Sequence, residues 1–261
     1  MTQVFCKIDV KDSVASITLN EPERMNPFSD GMRAQVLDAL LTLMADNAVR
    51  VIVLTGAGGQ FSAGADVRQM RIGDAPDPQR SRRRLKPLHD IVRAIANGPK
   101  PVVCAIEGVA FGAGLSIALS CDYIIAGEGA RMGAAFGKIG LAPDCGLLWS
   151  MPQRIGVTRT KDLIFTGHRL KSAEALKIGL VDENVEKGRA LDRAFEKAKE
   201  YLSVAPLSIA ATKAAFAEMP GDLEAALAIE THQQPMLSGS ADHTEATKAF
   251  LEKRAPVFTG R

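Results

Sequence analysis

Residues 101–122, which read PVVCAIEGVAFGAGLSIALSCD, place the strongest constraint on the fold of this chain. The run 102–106 has the length and apolar composition of a buried strand. A turn with three glycines follows, and the small and apolar residues 115–119 predict a buried helix. A strand that enters a helix through a glycine-rich turn leaves backbone N–H groups free to face an anion. The segment therefore predicts a site for a bound anion, or for negative charge that develops during a reaction.

Another glycine-rich loop, residues 56–66, comes earlier in the chain and directly follows an apolar strand predicted at 51–55. Neither loop is a phosphate-binding P-loop, because Gly-Lys-Ser/Thr is missing, and neither has the third glycine of a dinucleotide-binding fingerprint. The presence of two such loops in equivalent strand–turn settings favours one oxyanion hole to which both loops contribute backbone N–H donors. On pattern alone, the alternative is two tight turns that serve packing.

The net charge and the hydropathy of the chain exclude some classes of function. The formal net charge of +2 over 261 residues indicates no general attraction to nucleic acid or to an anionic membrane. No apolar run is long enough to span a bilayer, and the first ten residues do not resemble a signal peptide, so we expect a cytoplasmic protein. The cysteines and histidines are widely spaced, and no metal site is predicted.

Strand and helix signals alternate through most of the chain, which favours an α/β core with parallel pairing. Alternating residues at 4–10 and 13–19 predict an N-terminal hairpin. The later part is predicted to be helical, at 189–203, 206–217, 222–234 and 242–251. We therefore predict a core at 1–200 and a helical segment at 201–261. The terminal helices are too few to form a core alone, so we expect them to pack on the first domain or on another subunit.

The chain resembles the crotonase (enoyl-CoA hydratase/isomerase) family over nearly its whole length. The two signature segments are 60–66 (QFSAGAD) and 106–122. Further matches are a CoA-contacting loop, an acid-bearing loop and a C-terminal helix, at 24–27 (RMNP), 139–143 (IGLAP), 240–245 and 249–258.

This resemblance implies a spiral of ββα units with a C-terminal helical trimerisation segment, in a homotrimer or a hexamer of two trimers. The substrate would be an acyl-CoA thioester, with coenzyme A as part of the substrate and no separate cofactor. The backbone N–H groups of Ala65 and Ala113 would donate to the thioester oxygen. Fixed donors stabilise the negative charge that develops there when a proton is removed next to the carbonyl carbon.

The departures from the family pattern concern the acids. Hydratases of the family use two glutamates, and the matching positions here are Ser116 and Phe136. Asp144 matches the aspartate of epoxyphenylacetyl-CoA isomerase-like members, and one carboxylate suffices to move a proton between two carbons. We therefore predict an acyl-CoA isomerase with Asp144 as the catalytic acid and base. Alternatively, Asp144 caps the following helix.

Two other functions stay open. One is an enoyl-CoA hydratase that holds water with Ser116 and Asp144. The other is a non-catalytic protein that binds acyl-CoA or RNA; the basic residues between Arg80 and Lys86 are more typical of a solvated helix face.

The resemblance also implies contacts to the substrate and its CoA moiety. Arg24 and Lys253 are candidates for the CoA phosphates, and Phe250 and Lys253 lie on a helix that reaches a neighbouring subunit's CoA in the family. The full set predicted to bind substrate or CoA is Arg24, Met25, Ala63, Asp66, Val67, Ser116, Phe136, Phe250 and Lys253.

Overall fold

The computed structural model describes residues 3–66, 68, 77–218 and 221–261. Its strands are β1 Cys6–Lys11, β2 Val14–Leu19, β3 Val51–Gly56, β4 Val102–Ile106, β5 Val109–Phe111, β6 Tyr123–Gly127, β7 Arg131–Gly133, β8 Leu170–Lys171 and β9 Glu183–Val185. The main sheet has the order β1-β2-β3-β4-β6-β9. The β1–β2 hairpin is antiparallel, and every later neighbour pairs in parallel.

A smaller sheet with the order β5-β7-β8 lies beside the main one. Each turn of the chain adds a strand to the main sheet and then a short strand to the smaller one, as β4 is followed by β5, and β6 by β7. Isolated bridges extend this second layer by joining Ser62 to Ala110 and Phe28 to Ala65. The spiral of ββα units is therefore present, and its successive turns bring distant loops side by side.

The helices connect and cover these sheets. They are α1 Asp30–Ala45, α2 Pro78–Ala96, α3 Ala113–Ala118, α4 Leu147–Ile155, α5 Val157–Thr166, α6 Ser172–Lys177, α7 Ala190–Leu202, α8 Pro206–Glu218, α9 Leu223–Ser238 and α10 Ala241–Leu251. Short 3-10 helices run over Pro22–Arg24 and Ala135–Ile139. In the described ranges, no helix has the length and apolarity needed to cross a membrane; the cytoplasmic location stays a prediction.

Two clusters of buried side chains hold the core. The larger joins one face of the main sheet to helices α1 to α4. The smaller covers the other face, where Ala190, Ala194 and Ala198 of α7 pack on valines of β3 and β4. These alanines lie four residues apart, which places small side chains along one helix face, so α7 can approach the sheet closely.

The α/β class, the hairpin, the parallel sheet and the C-terminal helices are confirmed. Strand β9 begins at Glu183, because the N–H of Leu180 bonds to the carbonyl of Ala175 and completes the end of α6. The helix expected at 115–119 begins at Ala113. The division of the chain at residue 200 stays a prediction.

Candidate active site

Two glycines bring the two glycine-rich loops into contact. A Cβ on Gly64 would lie 2.6 Å from the carbonyl oxygen of Phe111 and 3.4 Å from the backbone nitrogen of Ala113. A Cβ on Gly114 would lie 2.8 Å from the Cβ of Ser62. Because no side chain separates them, the loop 61–66, called here the first loop, packs directly on the start of α3.

The orientation of two peptide groups follows from their carbonyl partners. The carbonyl of Gly64 accepts a hydrogen bond from the N–H of Phe28 at 2.8 Å. A trans peptide points its N–H opposite to its C=O, so the N–H of Ala65 points away from Phe28. In the same way, the carbonyl of Gly112 accepts from the N–H of Ser116 at 3.0 Å along α3. The N–H of Ala113 therefore points out of the N-terminus of α3, where no side chain caps it.

These two donors are suited to hold one developing negative charge. Neither N–H donates a hydrogen bond to another residue in the described part of the chain. Ala113 is buried and Ala65 is half-buried. Free, fixed N–H groups from two adjacent loops have the arrangement of an oxyanion hole.

Asp144 lies in the segment between the second 3-10 helix and α4. Its side chain is half-buried, and its Oδ1 has no hydrogen-bond partner among the described residues. Burial raises the pKa of Asp144, and this effect is opposed by the thiol of Cys145 and by His89. The N-cap of α4 is Gly146, without a side-chain hydrogen bond, so the capping alternative for the Asp144 side chain is wrong. A carboxylate with a raised pKa and a free oxygen is suited to accept a proton.

Helix α2 packs against the segment that holds Asp144, which the sequence did not indicate. A Cβ on Gly146 would lie 3.0 Å from Cγ1 of Val92, and His89 precedes Val92 by three residues on the same helix. Cys145 is buried at φ 52° and its thiol contacts Asp144. The available signal was the helical spacing of Leu88, Val92 and Ile95, which puts His89 near the buried face.

The two positions where hydratases carry glutamates hold buried side chains that pack at the start of α3. Ser116 is fully buried, and its hydroxyl donates to the carbonyl of Gly112 at 3.1 Å. Phe136 is also buried, and its Cζ would lie 3.9 Å from a Cβ on Gly112. Phe136 therefore packs beside the start of α3 and gives this part of the site an apolar wall.

The residues predicted to contact CoA fall into two groups. Arg24, Met25, Ala63 and Asp66 lie together: the N–H of Ala63 bonds to the carbonyl of Met25 at 2.8 Å, and Arg24 forms an ion pair with Asp66. Phe250, on α10, and Lys253, just after it, are exposed and lie in the C-terminal helical part. Val67 lies outside the described residues.

No group of three or more His, Cys, Asp or Glu side chains with the geometry to hold a metal ion occurs in residues 3–66, 68, 77–218 and 221–261. The absence of a separate cofactor stays a prediction.

The spiral of ββα units and the two converging loops define the crotonase class of folds. The family model for enoyl-CoA hydratase/isomerase matches residues 9–261, and the chain belongs to this family.

Similar proteins carry several names. A 1,2-epoxyphenylacetyl-CoA isomerase of Escherichia coli is 37% identical over 98% of this chain and 99% of its own length. An enzyme of Thermus thermophilus named as a putative enoyl-CoA hydratase is 35% identical over 95% of this chain and 98% of its own. The crystal structure of an enoyl-CoA hydratase from Bacillus anthracis has a TM-score of 0.93 at 30% identity and covers 99% of this chain and 100% of its own.

Proposed function

We propose that this protein is an acyl-CoA isomerase that shifts a double bond or rearranges a ring in an enoyl- or epoxyacyl-CoA. One arrangement supports the proposal: two N–H donors from adjacent loops without partners in the described residues, accompanied by the half-buried carboxylate of Asp144, whose Oδ1 has no hydrogen-bond partner there. Ser116 and Phe136 offer no carboxylate for the two-glutamate route of water addition. The name of the relative from Escherichia coli points to the same reaction class.

The chemistry needs one base and one oxyanion site. In a double-bond shift, the carboxylate of Asp144 removes a proton from the carbon next to the thioester carbonyl. The electrons of the C–H bond form the C=C bond of an enolate, and the π electrons of the carbonyl move to the thioester oxygen. The N–H groups of Ala65 and Ala113 donate to the resulting oxyanion, and the loss of one such donor typically raises the barrier by about 3 kcal/mol. The protonated Asp144 then returns its proton to a different carbon, so no atom is gained or lost.

Coenzyme A is part of the substrate in this proposal, and no further cofactor takes part. Arg24 and Met25 of the turn and Ala63 and Asp66 of the first loop, together with Val67 from the sequence prediction, would contact the CoA moiety. Phe250 and Lys253 would contact the CoA bound to a neighbouring subunit, in a homotrimer or a hexamer.

Replacement of the base tests the proposal. The wild-type protein should convert 3-enoyl-CoA or 1,2-epoxyphenylacetyl-CoA into an isomer of equal mass, separated by chromatography. Asp144→Asn should lower this rate by about 10²- to 10⁴-fold, the usual contribution of a positioned acid or base. Asp9→Asn, which removes an exposed carboxylate on β1, is the control. Unchanged turnover by Asp144→Asn would exclude Asp144 as the base.

Hydration is the second candidate, because several relatives are named as hydratases. In this reaction Asp144 and Ser116 would hold the water. Crotonyl-CoA separates the two reactions: a product heavier by one water, formed well above background, would favour hydration.

A further inference from the structure

A charged cluster joins the first loop to the turn formed by residues 21–26. Nη1 of Arg24 lies 2.6 Å from Oε1 of Glu21, and Nη2 lies 2.5 Å from Oδ1 of Asp66. Both carboxylates are buried, with Glu21 3% and Asp66 4% exposed. One guanidinium thus bridges two acids that belong to different segments of the chain.

The charges of this cluster depend on each other. Burial alone would raise the pKa of Asp66, but hydrogen bonds from Arg24 and from the N–H of Arg68 outweigh burial, and its pKa falls below the usual range. The pKa of Arg24 is raised, first by Asp66 and then by Glu21. Loss of Arg24 would leave two buried carboxylates without their cation, which is costly.

The two sides of Ala65 are held by different means. Before Ala65, the loop is fixed to the turn and its flank by backbone: the N–H of Ala63 bonds to Met25, and the N–H of Phe28 bonds to Gly64, each at 2.8 Å. After Ala65, the hydrogen bonds of the Asp66 side chain go to Arg24 and to the N–H of Arg68, within the described residues. Beside the backbone bridge between Phe28 and Ala65, the side-chain link to the turn on this side is therefore the ion pair with Arg24.

We propose that Arg24 is a positioning residue that fixes the oxyanion N–H of Ala65 through Asp66, while Glu21 holds the guanidinium from the other side. The inference rests on the proposed oxyanion role of Ala65, and it gives Arg24 a function beyond contact with a CoA phosphate. Asp66 follows Ala65 directly, so the loss of its link to Arg24 would loosen the backbone on the C-terminal side of Ala65 while the hydrogen bond from Phe28 to Gly64 holds the other side.

Infrared spectroscopy of a bound, unreactive thioester measures this effect without turnover. Butyryl-CoA labelled with ¹³C at the carbonyl has a stretching frequency that falls when the oxygen accepts hydrogen bonds in the site. Wild type should lower this frequency, and Arg24→Met and Asp66→Asn should each lower it less. Arg189→Met is the control, because its ion pair with Asp192 lies on the surface of α7, and it should match wild type.

Kinetics with two thioesters separates positioning from phosphate binding. Pantetheine thioesters lack the nucleotide and its phosphates. Arg24→Met should lower kcat about 10- to 100-fold with both the CoA and the pantetheine substrate, as expected for a displaced catalytic group. The double variant Arg24→Met/Asp66→Asn should be no slower than the slower single variant, since both remove the same ion pair.

The outcomes are distinct. A wild-type protein that leaves the carbonyl frequency unchanged would contradict the oxyanion hole itself. If wild type shifts the frequency and Arg24→Met shifts it equally, with an increase of KM confined to CoA substrates, Arg24 binds phosphate and the positioning role is wrong. If Arg24→Met does not fold, Asp66→Asn decides alone: a full wild-type frequency shift in that variant overturns the proposal.

Discussion

Asp144 is the residue whose protonation should be visible in both stability and activity. Its pKa is raised by burial, so the folded protein keeps this proton at a pH where the unfolded chain has lost it. As pH rises from the usual range of an aspartate toward the raised pKa, the unfolded state therefore binds fewer protons, and Asp144 makes the folded state progressively less stable.

Asp144→Asn should remove this loss of stability. In urea unfolding at several pH values, the free energy of unfolding of the variant should increase relative to that of wild type as the pH rises from about 4 to 7. This range lies above the ordinary aspartate pKa. Asp9→Asn controls for the loss of one exposed carboxylate. A difference between Asp144→Asn and wild type that does not change with pH would contradict the raised pKa.

The residues of the site differ in how far the sequence could predict them. Asp144 was predictable as an acid because it lies within a local motif. Its interaction with His89 was not, because the contact between α2 and the Asp144 segment joins parts of the chain far apart in sequence. Arg24 was predicted as a phosphate contact, and its two buried partners became visible when the turn and the first loop met in space.

At the scale of elements, the site depends on the close approach of the first loop and α3. Gly64 has φ +97°, a conformation that side chains rarely adopt, and a Cβ there would overlap the carbonyl of Phe111. Gly64→Ala should push the loop away from Ala113 and lower kcat by about 10²-fold or more, comparable to the loss of an oxyanion donor.

Gly59→Ala is the matched control for Gly64→Ala. Gly59 also has a positive φ of +66°, but a Cβ there meets no atom within 4 Å. This variant should lose about 1 kcal/mol of stability from backbone conformation and keep its turnover. Equal kcat for the two variants would show that the close contact at Gly64 does not set the geometry of the donors.

The main elements were predictable, and the short ones were not. The hairpin has an alternating pattern and β3 is a continuous apolar run, and both lie where they were predicted. Strands β5, β7 and β8 have three residues or fewer, too few to show an alternating pattern. These short strands align the loops of the site, so the meeting of the two loops could be anticipated from the family resemblance but not from local pattern.

At the scale of the whole molecule, the C-terminal helices are unusually exposed. Helix α9 contains no buried residue, and the buried residue of α8 is Lys213, which pairs with Asp122. Phe216, Met236 and Phe250 are 74%, 73% and 83% exposed. A helix is normally stabilised by burial of an apolar face, so these helices are suited to pack against another copy of the chain.

Sedimentation analysis should therefore find a trimer or a hexamer of the wild-type protein. Met236→Asp places a charge on the exposed side of α9 and should shift the population toward smaller species, because a buried unpaired charge is costly. Leu41→Asp, at a residue 57% exposed on α1, is the matched control and should leave the assembly intact. If Phe250 and Lys253 contact a neighbour's CoA, Met236→Asp should also raise KM for CoA thioesters more than for pantetheine thioesters. A monomeric wild-type protein would contradict both expectations, since no neighbour would then be present to cover the helices or share the substrate.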